Sequence, residues 1–64
     1  MENKLLVSAE EAANILSLGR SKVFELLADG SIESLKVGRR RLVPRQALDT
    51  YVQHQREVQA AEVA

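Results

Sequence analysis

The chain has 64 residues, with nine lysines and arginines balanced by nine acidic side chains, a single histidine and no cysteine. So short a chain is read as one domain over residues 1–64, burying a smaller fraction of its surface than a large domain and lacking any disulfide to brace it. The composition argues against a metal or other cofactor, because His54 stands alone, and against a bilayer span, which takes roughly 20 consecutive apolar residues.

Behind Met1-Glu2-Asn3-Lys4 the apolar stretch is too short for a signal peptide, so the expected location is cytoplasmic, with no membrane partner. Leu5-Leu6-Val7 is a short apolar lead-in. Ser8 and Glu11, three residues apart, have the spacing of a capping box, so a helix is expected to start at Ser8. Val7 and Ala12 can form a hydrophobic staple across that start, and Ala12, Ile15 and Leu16 give an apolar helical face. A second helix is expected over residues 20–29, with Val23, Phe24, Leu26 and Leu27 pointing inward and Ser21, Lys22, Glu25 and Ala28 toward solvent. Only Ser17, Leu18 and Gly19 separate the two helices, which forces a sharp crossing of the helix-turn-helix kind. Gly30 is placed to close the second helix in the left-handed conformation.

From Ile32 the period changes. Leu35, Lys36 and Val37, then residues 40–43, fit two strands around Gly38-Arg39, with glycine first as a type II′ turn prefers. Pro44 suits the first turn of a third helix, on which Ala47, Leu48, Tyr51, Val52 and Val58 recur at helical spacing. Phe24 and Tyr51 are read as core, and His54 as an exposed residue of that helix. The ordered core is expected over about residues 5–55, with 56–64 fraying because the apolar face thins there. The fold class is thus small, mostly α (α+β): three helices and a two-stranded hairpin.

Net neutrality hides a local bias. Residues 20–45 hold seven basic and three acidic side chains, a charge of +4 that leaves −4 elsewhere. Such a field can steer one face toward phosphates. On the second helix Arg20 is the leading base-contact candidate, since its planar fork can bond guanine O6 and N7 together. Lys22 suits phosphate and Ser21 either kind of contact, while Glu25 can accept from a cytosine amine or pair with Arg20 or with neighbours of Asp29, the structural role being preferred. Gly38 forms the hairpin turn, and Arg39 at its tip with Arg40 beside it is free to enter a minor groove. Strand alternation puts Arg41 on the face of inward Val43, which a bulge or a snorkelling side chain would reconcile. Lys36 and Arg45 flank the hairpin as phosphate contacts, though each taken alone reads equally well as a solvated surface residue.

Three stretches in this order carry a family resemblance: Leu6-Val7-Ser8-Ala9-Glu10-Glu11-Ala12-Ala13, the run from Gly19 through Arg20-Ser21-Lys22-Val23-Phe24 to Gly30, and Lys36-Val37-Gly38-Arg39-Arg40-Arg41-Leu42-Val43-Pro44-Arg45. Over roughly residues 5–52 the chain resembles the excisionase-type, MerR-like winged helix-turn-helix DNA-binding proteins. The resemblance implies a recognition helix at Arg20 to Ala28 in the major groove, and a wing at Gly38 to Arg41 on the neighbouring minor groove or backbone. Gly19 stands where such proteins often carry a serine cap, and Arg41 where an aromatic commonly packs.

The partner expected is double-stranded DNA. The role implied is that of a recombination accessory factor or a small transcription regulator of a mobile element or phage, working with an integrase or with further copies of itself on adjacent sites. No small-molecule ligand is expected, nor catalysis, since no nucleophile, base and oxyanion arrangement can be assembled. The rival reading is a protein-interaction adaptor or antitoxin-like module using the third helix, through Leu48 or Val52.

Overall fold

Ser8 sets the first helix by bonding in both directions. Its Oγ accepts from the Glu11 N–H at 3.1 Å, and the Glu11 carboxylate accepts from the Ser8 N–H at 3.0 Å. Lys4 Nζ donates to the same carboxylate at 2.8 Å. That lysine bond first, and the Ser8 N–H after it, hold the Glu11 carboxyl at about 2, well below its ordinary value. Val7 and Ala12 flank the cap and are both buried, as a staple requires.

The computed structural model describes residues 4–63. In chain order the elements are β1 (Leu6–Val7), α1 (Ala9–Leu16), α2 (Arg20–Ala28), β2 (Leu35–Val37), β3 (Arg40–Pro44) and α3 (Arg45–Val63). The break between α1 and α2 is a Schellman closure: the Ser17 N–H bonds the Asn14 carbonyl at 3.2 Å and the Leu18 N–H bonds the Ala13 carbonyl at 2.9 Å. This needs a left-handed residue, and here it is Ser17, at φ 59° and ψ 36°, rather than glycine. Leu18 is thereby directed onto the core, and α2 starts from Gly19 without any side-chain cap bond.

At the far end of α2, Gly30 takes φ 83°. Asp29 Oδ1 accepts from the Ser31 N–H at 2.8 Å; the Ser31 side chain first, and this N–H after it, lower the Asp29 carboxyl, with a smaller contribution from the charge of Lys22. The Ile32 N–H then bonds the Leu26 carbonyl at 3.1 Å and anchors Ile32 in the core at 1 % exposure. A loop residue is thus among the most buried side chains of the molecule. Val7, Ala12, Ala13, Val23, Leu26 and Val43 surround it in one cluster closed by Ala47 and Leu48.

The sheet differs from the two-stranded expectation. It has three antiparallel strands in the order β1-β3-β2, because the lead-in Leu6–Val7 pairs with the far end of β3. The lead-in Leu5-Leu6-Val7 is a continuous apolar run without alternation, so nothing local marks it as a strand. Pro44 also differs: it ends β3 opposite Leu6, and α3 begins one residue later at Arg45. The Arg45 N–H donates to the Leu5 carbonyl at 2.8 Å, which makes Leu6 and Pro44 a non-hydrogen-bonded pair. The proline therefore leaves no ladder bond unmade.

α3 continues as helix to Val63 where fraying is expected from about residue 56. Residues 56–62 are exposed, so the apolar face does thin, but Gln, Arg, Glu and Ala are strong helix formers and suffice to continue the backbone pattern. Tyr51 packs partly buried against the core, and His54 is exposed. Phe24 is not core: it is 48 % exposed. Val23 and Leu26, with Leu27 beside them, already fill the inner face of α2, and Phe24 falls at its outer edge.

Candidate nucleic-acid interface

The outward face of α2 lies opposite Val23 and Leu26. At 100° per residue this face carries Ser21, Phe24, Glu25 and Ala28, all exposed, with Arg20 on one flank and Lys22 on the other. Arg20 is held from two sides. Its Nη1 is 3.3 Å from Glu10 Oε2 on α1, and its guanidinium carbon is 5.7 Å from the centre of the Phe24 ring, within cation–π range. Both members of the ion pair are about two-thirds exposed, at 66 % and 63 %, so the pair orients the side chain more than it stabilises the fold.

The Arg20 partner is therefore Glu10, reached across the helix-turn-helix break, and not Glu25. Among the described residues Glu25 makes no ion pair, so the structural role preferred for it in the sequence is not realised and its carboxylate stays available on the outward face.

The hairpin turn has Gly38 at φ 63° and no positive φ at Arg39, as in a type II′ turn, whereas type I′ needs both residues positive. Arg39 and Arg40 are exposed and, among the described residues, make no ion pair. Pairing runs without a bulge, Leu35 with Leu42, Lys36 with Arg41 and Val37 with Arg40. Arg41 therefore snorkels. It shares a sheet face with buried Val43, borders a cleft with Phe24, Leu27 and Ala28, and donates from Nη1 to Ser34 Oγ at 2.8 Å.

Lys36 and Arg41 stand directly opposite each other across the ladder, both exposed. Like charges in that position destabilise a sheet unless something anionic covers them. Arg45 lies elsewhere, lining a hollow with Lys4, Val7, Glu11, Asn14 and Ile15 on the α1 side. The structure thus brings Phe24 and Arg41 together on one cleft, with Arg20 beside the Phe24 ring, places Ser21 and Glu25 on the adjoining helix face, and leaves Arg45 apart.

Phe24, Glu10 and Ser34 were not legible as parts of this surface. The spacing of Arg20 and Phe24, four residues apart on one helix, was the available signal for the first. Among the described residues no group of His, Asp or Glu side chains could hold a metal ion, and no helix is long and apolar enough to cross a membrane.

Residues 6–56 match the family model described as a helix-turn-helix domain. A protein of Saccharopolyspora erythraea named "Probable excisionase" is 49 % identical over 51 residues, which are 80 % of this chain and 52 % of that protein. The chain thus spans about half the length of this relative. No solved structure matches it. Two helices crossing at a three-residue break, with a basic hairpin beside the second, are what the matched segment encodes, and the chain belongs to the helix-turn-helix family of DNA-binding domains, in its winged form.

Proposed function

We propose that the chain binds double-stranded DNA sequence-specifically, with the outward face of α2 in the major groove and the β2–β3 wing on the neighbouring minor groove or backbone. The observation that carries this is the unrelieved cation pair Lys36 and Arg41 beside a recognition-helix face whose leading arginine is already oriented. Arg20, Ser21 and Glu25 face base edges, Lys22 and Lys36 face phosphates, and Gly38 turns Arg39 and Arg40 toward the minor groove, with Arg41 behind them. Arg45, on the α1 side, reaches only a flanking phosphate.

The role is recombinational: the chain acts as an accessory factor of the excisionase kind, a reading supported by the similarity to a probable excisionase. An integrase, or further copies bound at adjacent sites, would raise occupancy through effective concentration. The protein-interaction reading loses one of its two test positions, because Leu48 is a core residue at 3 % exposure; Val52, at 44 %, remains.

Selection of bound duplexes from a random pool, at two salt concentrations, tests the proposal. Arg20→Ala is expected to relax discrimination at one base pair by about 1–3 kcal/mol, and Arg39→Ala to weaken every site while reducing the salt slope by about one. An Arg20→Ala effect equal on all sequences removes base reading from that residue. No enrichment by wild type, with Val52 changes abolishing capture of a protein partner, transfers the function to the rival.

A further inference from the structure

Phe24 is the one aromatic side chain on the outward face of α2. It is 48 % exposed although inner positions exist one residue before and two after it. Its surroundings are unlike those of a stray apolar side chain. The Arg20 guanidinium lies over the ring, and the ring borders a cleft of about 420 Å³ shared with Leu27, Ala28 and the snorkelling Arg41. An apolar floor with a cation on either side fits a base-pair edge that is apolar at one point and flanked by acceptors and phosphates. In the major groove only thymine offers that apolar point, its C5-methyl, whereas guanine offers the paired acceptors an arginine fork takes.

We propose that Phe24 is a specificity-determining residue whose ring receives the C5-methyl of a thymine directly adjacent to the guanine bonded by Arg20, so that the two side chains read one dinucleotide step as a unit. The cation–π contact with the ring at 5.7 Å and the Glu10 carboxylate at 3.3 Å hold the guanidinium beside the ring before DNA arrives, which lowers the ordering cost of making both contacts together. The inference rests on the DNA-binding reading above and adds a base to the recognised sequence.

Deoxyuridine pairs like thymidine but lacks the methyl group, and so isolates the contact. Duplexes of the selected motif, with each thymine replaced in turn, are titrated by fluorescence anisotropy against wild type, Phe24→Ala and Phe24→Leu. One thymine next to the Arg20-dependent guanine is expected to matter, its replacement weakening wild type about fourfold, the effect of one buried methyl-sized group. Phe24→Ala is expected to bind the thymine duplex more weakly and to be indifferent to the replacement. Absence of any such position in wild type, or a full methyl effect surviving in Phe24→Ala, overturns the proposal. The wild-type series stands even if Phe24→Ala fails to fold, and Phe24→Leu then supplies the comparison, with a reduced methyl effect expected and an unchanged one counting against. Failure of wild type to bind any duplex defeats the DNA reading itself, a result distinct from binding without methyl sensitivity.

Discussion

Replacing each of the three glycines by alanine separates backbone conformation from packing in this fold. At Gly19, Gly30 and Gly38 alike, an added Cβ meets nothing within 4 Å, so no clash enters the comparison. What differs is the backbone: Gly30 and Gly38 sit at φ 83° and 63°, while Gly19 sits at φ −71° and ψ 155°, open to any residue. A Cβ in the left-handed region costs about 1–2 kcal/mol, partly offset by the stiffer unfolded chain, leaving a loss of about 1 kcal/mol at each of the two turns. At Gly19 the same stiffening works against a cap preference of glycine over alanine worth about 0.5–1 kcal/mol, and the net is within about 0.5 kcal/mol of zero.

For a domain of this size total stability is roughly 3–10 kcal/mol, so the two losses are readable as shifts of the urea midpoint followed by far-UV circular dichroism. Gly38→Ala carries an additional functional signature. It disturbs the turn that aims Arg39, and so weakens duplex binding on all sequences beyond what the equally destabilised Gly30→Ala shows. A Gly19→Ala loss as large as the other two, or a neutral Gly38→Ala, would refute the reasoning.

Three further outcomes follow from single sites. Ser17→Gly relieves a left-handed serine at φ 59° and is expected to raise stability by a few tenths to about 1 kcal/mol in the same urea assay, a loss counting against the strain. The Glu11 carboxyl is lowered in the folded state from 4.5 to about 2, chiefly by Lys4, so its contribution is present in full above the unfolded value and is lost as pH falls from about 4.5 toward 2. Glu11→Gln, which keeps an acceptor for the Ser8 N–H, should therefore flatten the acid limb of the midpoint-against-pH curve, and identical limbs would contradict it. Ile32→Ala removes a side chain that is 1 % exposed and is expected to cost about 2–5 kcal/mol, a large share of the total stability, read as a lowered urea midpoint; a cost under about 1 kcal/mol would deny Ile32 its place in the core.

Local chemistry made much of this fold legible. The capping box, the three-residue break, the closing Gly30 and the type II′ hairpin each depend on a few neighbouring residues, and each stands where the sequence places it. The misreadings share a different origin, in contacts distant along the chain. Leu6–Val7 is a strand only because β3 returns to it, and Pro44 belongs to that strand because it falls at a position needing no N–H. Hydrophobicity alone puts Phe24 in the core, yet at 100° per residue it lies at the edge of the face that Val23, Leu26 and Leu27 turn inward, and the core does not reach that far round the helix. Arg41, conversely, looked misplaced by alternation, and Ser34 with the apolar flank of α2 resolves it.

The charge distribution gains a meaning in three dimensions that the linear count lacks. By sequence the acidic remainder only offsets the basic segment, +4 against −4. In the fold one of those acids, Glu10, crosses the break and holds Arg20, and another, Glu11, engages Lys4, whereas Arg39 and Arg40 on the wing make no ion pair among the described residues. On the proposed reading the cations divide by task. An arginine that must hit a base edge benefits from being oriented before contact, even at some loss of long-range attraction; an arginine that meets phosphate needs only charge and reach. On the proposed reading, neutral net charge would limit indiscriminate binding, and an oriented Arg20 with Phe24 beside it would supply the discrimination that so small a module cannot obtain from area.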